Sequence, residues 1–357
     1  MKKIILSICF LFCIQLLLKA QENKLILVHP TEYNLKLFSY LVDQKVIEID
    51  NLQVTGVYYS KETYNYQKSV NYIINNDLAY IQLQEINDVI TPENLYQQNN
   101  CSPVFKEIFE NSKGILFFGG PDLPPSIYGE PMNLLTEVTD PYRHYFEASF
   151  LFHLLGGSQN NEFVPLLDSN PDYVVYGICL GMQTMNIAAG GTMIQDIPTE
   201  IYGLKTAEEV LQADNNMQHK NYNNNLTIDT TFFAGNFHEI SISDFGPITG
   251  NYNSGQNPLV YSNHHQAVEK LGKNLTVIAT SVDGKIIEAI THTKYKNVLG
   301  IQFHPEGTYL YNSEIKYRKS NQDTLSSGKE ILQTHRSLEF HIELWKTFNK
   351  KLNDVKY

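Results

Sequence analysis

From Lys24 onward, short apolar runs rich in β-branched and aromatic residues alternate with longer stretches whose apolar positions recur at helical spacing. Leu25-Ile26-Leu27-Val28 precedes a helical pattern from Tyr33 to Val42, and Val54-Thr55-Gly56-Val57-Tyr58-Tyr59 precedes a second from Glu62 to Asn75. This order predicts a three-layer α/β domain, with a mostly parallel sheet and helices on both faces. Gly114-Ile115-Leu116-Phe117-Phe118 is almost wholly apolar, as a buried parallel strand should be, and it empties into Gly119-Gly120-Pro121-Asp122. Tyr173-Val174-Val175-Tyr176 meets Gly177-Ile178-Cys179-Leu180-Gly181 just before a helical stretch from Met182 to Ala189. Further strands are expected at Leu275 to Ala279, Ile286 to Ile290 and Val298 to Phe303, with a closing helix from Lys329 to Lys351. The polar, Asn-rich stretches 214–225 and 251–257 read as surface loops.

The first twenty residues break this pattern. Lys2 and Lys3 precede an apolar run from Ile4 to Leu18 that ends at Lys19-Ala20, the layout of a signal peptide. It predicts export to a periplasmic or extracellular space. The run is short for a membrane span and no later stretch is long enough, so no stable membrane insertion is expected. Residues 21–357 are expected to form one elaborated domain. A formal net charge of -11 without Lys/Arg blocks argues against a nucleic-acid surface and toward a small-molecule partner. The sequence carries no sign of oligomeric state.

Of four cysteines, Cys9 and Cys13 fall in the signal peptide, leaving Cys101 and Cys179. That is no disulfide framework, although one bridge between the two is compatible with export. No CxxC, HExxH or other metal-ligand spacing is present, so neither a metal nor a cofactor is expected.

The chemistry concentrates at Cys179. Glycines two positions to either side allow a sharp strand-to-helix turn that leaves the side chain exposed above the sheet. The following helix directs free N–H groups and its positive end at the sulfur, which suits a nucleophile that reacts as an anion. A glycine-flanked cysteine alone is also what core packing produces, so the weight rests on its partners. Gly300-Ile301-Gln302-Phe303-His304-Pro305-Glu306 is a strand running into His-Pro-Glu. Pro305 favours an extended backbone at His304, and in an extended chain i and i+2 face the same way. Glu306 can therefore orient the ring while its other nitrogen serves Cys179 as base. Arg143 and Glu147, spaced i, i+4 on a predicted helix, read as a surface ion pair, the alternative being a pocket role for Arg143 on a substrate carboxylate.

The elbow with His304-Pro305-Glu306 resembles the class I glutamine amidotransferase superfamily. Gly119 to Glu130, Asn186 to Asp196 and Ser262-Asn263-His264-His265-Gln266-Ala267-Val268 bring it closer to the γ-glutamyl-γ-aminobutyrate hydrolase and γ-glutamyl hydrolase branch, peptidase C26. The resemblance implies a flavodoxin-like class I glutamine amidotransferase fold and a catalytic triad of Cys179, His304 and Glu306. It also implies an oxyanion hole from the backbone of Gly120 and Leu180, and substrate contacts from Gln183, His264 and His265. The activity so implied is an exported cysteine hydrolase that cleaves γ-glutamyl amide or isopeptide bonds through a γ-glutamyl thioester. The alternatives are a glutaminase that supplies ammonia to a partner and a binding protein without catalysis. Relative to that family the chain carries insertions near 60–110, 205–257 and 307–329, and Leu180 stands where the γ-aminobutyrate branch often has Arg. The leaving group is therefore not fixed by the motifs.

Overall fold

The computed structural model describes residues 23–355 apart from 228 and 254, so the expected signal peptide lies outside the described residues. The parallel half of the sheet uses β1 (Asn23–Val28), β2 (Leu52–Tyr59), β3 (Ile81–Ile86), β4 (Gly114–Phe117) and β5 (Val174–Ile178). Between them run α1 (Glu32–Asp43), α2 (Gln67–Asn75), α3 (Ser102–Glu110) and α4 (Pro141–Leu155), and β5 leads into α5 (Leu180–Ala188). After the elbow come β6 (Met193–Ile194), β7 (Asn236–Ile242), β8 (Leu259–Ser262), β9 (Ala267–Val268), β10 (Leu275–Ser281), β11 (Ile287–His292) and β12 (Val298–Ile301). The chain closes with α6 (Gly328–Thr334) and α7 (Leu338–Asp354).

Ten strands form one sheet in the order β3-β2-β1-β4-β5-β12-β11-β10-β7-β8. The strands from β3 to β12 run parallel, and from β12 outward every pairing is antiparallel. The parallel strands are apolar on both faces because both are covered. Leu25, Leu27 and Leu116 pack with Phe38 of α1 and with Trp345 and Phe348 of α7. Ile26, Val28 and Phe117 pack with Phe105 of α3, Phe146 and Phe150 of α4 and Met182 of α5.

Several expectations change at this level. The helical stretch predicted from Glu62 begins only at Gln67, because the buried Glu62 side chain turns inward to accept from the Tyr59 backbone N–H at 2.8 Å. Residues 76–113, where no element is expected, supply β3 and α3. The predicted closing helix is two helices, broken where Arg336 adopts the left-handed φ of 62°. The 214–225 stretch is not a bare loop: it contains short helical turns at Asn215–Met217 and Asn223–Leu226. Cys101 and Cys179 are both free, so the compatible bridge is not formed. Cys101 donates to the Asp88 carbonyl, and burial pushes its thiol up to about 12.

Candidate active site

Cys179 is the single residue between β5 and α5, at φ 52° and ψ −106°. A left-handed φ on a residue with a Cβ costs roughly 1–3 kcal/mol and persists only where surroundings impose it. Here the imposition is close backbone approach. A Cβ at Gly177 would sit 2.5 Å from the Gly181 carbonyl carbon, and one at Gly181 would sit 2.5 Å from the Phe117 oxygen. The Cys179 N–H donates to the Ile301 carbonyl at 2.7 Å, tying the elbow to β12, the strand that delivers His304.

His304 Nδ1 lies 2.7 Å from Glu306 Oε1, and both residues line the same cleft as Cys179. Burial disfavours a charged ring, but its electrostatic interactions, above all with Glu306, outweigh that and hold the His304 pKa well above its ordinary value. The three residues expected to act together are thus brought together. Gln302 joins them, its Nε2 donating to Cys179 Sγ at 3.5 Å and its Oε1 accepting from Gln183 Nε2 at 3.3 Å. The sequence reading missed Gln302, although it lies two residues before His304 on the same extended run.

Cys179 stands between two clefts. The smaller, about 230 Å³, includes Gly120, Gln183, Lys220, Glu137 and His264 in its lining. The larger, about 400 Å³, lies on the His304 side and includes His29, Tyr33, Arg143, Tyr261 and Tyr309. Gly120 and Asn263 border both. Leu180 begins α5, so its N–H has no acceptor within the helix and is available above the thiol. Glycine is required in the facing loop, where a Cβ at Gly119 would lie 2.7 Å from His304 Cε1 and one at Gly120 would collide with the Arg143 guanidinium.

Arg143 and Glu147 are not a surface pair. Their side chains are 3% and 0% exposed, with Nε 2.7 Å from Oε1, because α4 packs under the Gly119–Gly120 loop rather than against solvent. Arg143 Nη2 donates to the carbonyls of Phe118 and Gly119 at 3.3 and 3.0 Å, fixing that loop from beneath. Beside it, His29 follows the end of β1, with Nδ1 2.5 Å from Glu62 Oε2 and 2.9 Å from the Tyr66 hydroxyl. Burial, with the Arg143 charge, holds His29 neutral with a pKa down at about 3, and burial raises Glu62 to about 7. The only signal for His29 was its place at a strand's carboxyl end, where ligands of open α/β sheets sit.

Both ring nitrogens of His265 are engaged, one with Asp196 at 3.0 Å and the other with Asp122 at 3.0 Å. Burial opposes its charge, but the two carboxylates prevail and raise it to about 9. His265 thus clamps the 119–122 loop to the 262–266 segment. His264 turns inward, its Nδ1 2.8 Å from the Gln266 carbonyl, toward His219, His238 and Glu288, a buried group able to hold a metal ion. Burial holds these three histidines neutral, pulling His219 and His238 down to about 4 and His264 well below its ordinary value.

The fold and the elbow define a glutamine amidotransferase-type α/β hydrolase. The chain belongs to the Peptidase C26 family, whose model matches residues 54–306. It is 32% identical over 198 residues to a glutamine amidotransferase-like protein of Lactococcus lactis, a match covering 55% of this chain and 66% of that one. It is 30% identical over 232 residues to another of Rickettsia prowazekii, covering 60% of this chain and 76% of its relative. A solved glutamine amidotransferase of Thermotoga maritima aligns over 94% of this chain and all of its own, at 11% identity and a TM-score of 0.42.

Proposed function

We propose that the protein is an exported cysteine hydrolase that cleaves γ-glutamyl amide or isopeptide bonds, with Cys179 as nucleophile, His304 as base and acid, and Glu306 orienting His304. The observation that carries this reading is the strained elbow itself. It sets the Cys179 sulfur against a hydrogen-bonded His304–Glu306 pair, with a separate cleft on either side.

In this reading the smaller cleft takes the γ-glutamyl group. Lys220 and Glu137 in its lining match the α-carboxylate and α-amino charges of such a group, and Gln183 stands at its thiol end. The larger, aromatic cleft takes the leaving amine. The Cys179 sulfur attacks the γ-carbonyl carbon, and the oxyanion is received by the N–H groups of Leu180 and Gly120. Each such donor typically contributes about 3 kcal/mol. As the C–N bond breaks, His304 gives its proton to the departing amine, leaving a γ-glutamyl thioester. Water enters, His304 takes its proton, and the C–S bond breaks to release glutamate.

A glutaminase that feeds ammonia to a partner is the second reading. A stretch of 140 residues is 29% identical to the GMP synthase of Francisella tularensis, though it spans only 20% of that enzyme. The size of the larger cleft, with Tyr309 and Tyr261 in its wall, favours a leaving group bigger than ammonia. One experiment separates these readings from a binder without chemistry. The purified chain is offered glutamine, γ-glutamyl-γ-aminobutyrate and folyl-poly-γ-glutamate, and free glutamate is measured against Cys179→Ala. Release from the amine-extended substrates supports the hydrolase. Release from glutamine alone and only with an added partner supports the glutaminase, and binding without release at any substrate contradicts both.

A further inference from the structure

Four side chains that no step above uses converge beneath the smaller cleft. His219 comes from the loop before β7, His238 from β7, His264 from the segment after β8 and Glu288 from β11. All are buried, and their ligand-capable atoms lie within 4.8 Å of one another. Their order along the chain follows no metal-ligand spacing, so only the folded sheet brings them together.

The hydrogen-bond pattern leaves this group short of donors. The Gln266 carbonyl only accepts, so His264 carries its proton on Nδ1 and presents a lone pair from Nε2, which has no partner among the described residues. His238 likewise turns Nδ1 to the Glu239 carbonyl at 3.2 Å, leaving a lone pair on Nε2, where the Ser262 hydroxyl at 2.8 Å is its one competing partner. Among the described residues, neither Glu288 oxygen and neither His219 nitrogen has a hydrogen-bond partner. His219 Nδ1 is 3.2 Å from Glu288 Oε1 without the alignment of a hydrogen bond, as two lone pairs directed at a common point would be. Buried polar atoms are normally partnered, and here several share one missing partner.

We propose that His219, His238, His264 and Glu288 form a closed structural site for a divalent transition-metal ion of the zinc class. Three neutral imidazoles and one carboxylate, without sulfur, suit zinc or cobalt rather than magnesium or calcium. Backbone carbonyls hold the outer nitrogens of His238 and His264, the arrangement that orients metal-ligating histidines. With bonds of about 2.0–2.1 Å to each ligand, small side-chain rotations close the group around one ion. Bound there, the ion ties β7 and β11 to the segment that ends in His265 and lines the smaller cleft. The site stands independently of the reaction proposed for Cys179.

The test is metal content of the full chain, prepared without a polyhistidine tag from zinc-supplemented medium. Plasma mass spectrometry is expected to find about one zinc per chain in the wild type and in Cys179→Ala, since folding and metal binding are coupled at such sites. His219→Ala is expected to lose it. Glu288→Gln, which keeps the shape and removes the charge, should weaken zinc binding at least about tenfold. After chelation, added cobalt should give the visible bands of a four-coordinate nitrogen and oxygen site with no thiolate charge-transfer band. A wild type that takes up neither metal, a metal lost with Cys179, or undiminished zinc affinity in Glu288→Gln would each overturn the proposal.

Discussion

At Cys179 a single residue holds a backbone conformation that its Cβ resists, between two glycines at which a Cβ would collide with neighbouring backbone. Cys179→Ala should abolish turnover, with a fall of at least about 10³-fold in kcat, while thermal unfolding shows an unchanged fold. Glu306→Gln should lower kcat/KM by roughly 10²- to 10⁴-fold. The pH profile supplies the sharper test. The Glu306 charge favours the imidazolium, so its removal lowers the His304 pKa. If the attacking form pairs an ionised sulfur with a protonated His304, the alkaline limb of kcat/KM must move to lower pH, and an unmoved limb contradicts that pairing. The elbow and the His-Pro-Glu run were legible in the sequence because both depend on local spacing. The role of Arg143 was not legible, since i, i+4 spacing says that two side chains meet and nothing about what covers them.

Elements matter here through the loops they anchor. α4 raises a buried Arg143–Glu147 pair under the Gly119–Gly120 loop. Removing one partner strands the other charge, so Arg143→Met should cost about 3–5 kcal/mol in a urea-unfolding measurement. Gly119→Ala makes the contrasting prediction: its Cβ would lie 2.7 Å from the His304 ring and 3.4 Å from the Cys179 Cβ, at the site rather than in the core, so activity should fall while the unfolding midpoint barely shifts. The loop clamp at His265 is readable through pH. Its pKa is raised by Asp122 and Asp196 to about 9 when folded, against about 6.5 when unfolded. The folded state therefore holds the proton more tightly, and this stabilisation is full below about pH 6.5 and lost as pH rises through about 9. His265→Gln should flatten that alkaline decline, and a wild type equally stable at pH 7 and pH 10 would speak against the clamp.

Across the whole molecule, the sheet and its closing helix connect distant parts of the chain to the site. Trp345 of α7, the only tryptophan in the sequence, donates to the Pro305 carbonyl at 3.3 Å and the Tyr311 hydroxyl at 3.0 Å, while its ring packs with Phe348. It thus supports the turn between His304 and Glu306. Trp345→Ala should destabilise the protein by about 3–5 kcal/mol through the cavity it leaves. It should also reduce kcat in the fraction that remains folded, and a loss of stability without loss of kcat would detach α7 from the site. The parallel half of the sheet, apart from the polar edge strand β3, could be read from near-continuous apolar runs. Of the antiparallel extension, β10 and β11 could be read in the same way. β7 and β8 could not, because both lie among polar, Asn-rich stretches and β7 joins the sheet by pairing with β10, some thirty residues further along the chain.

The amino-acid order alone determined what local geometry determines: the alternation that makes a layered α/β sheet, the glycine spacing that forces the elbow, and the extended run that puts His304 and Glu306 on one side. Only the tertiary structure decided what depends on approach between distant segments. It paired β12 with β5 so that His304 reaches Cys179, and it buried Arg143 beneath the loop that faces them. It also gathered His219, His238, His264 and Glu288 into one pocket. Sequence spacing carries no record of that gathering, because these residues meet through strand order and packing rather than along a single helix or strand.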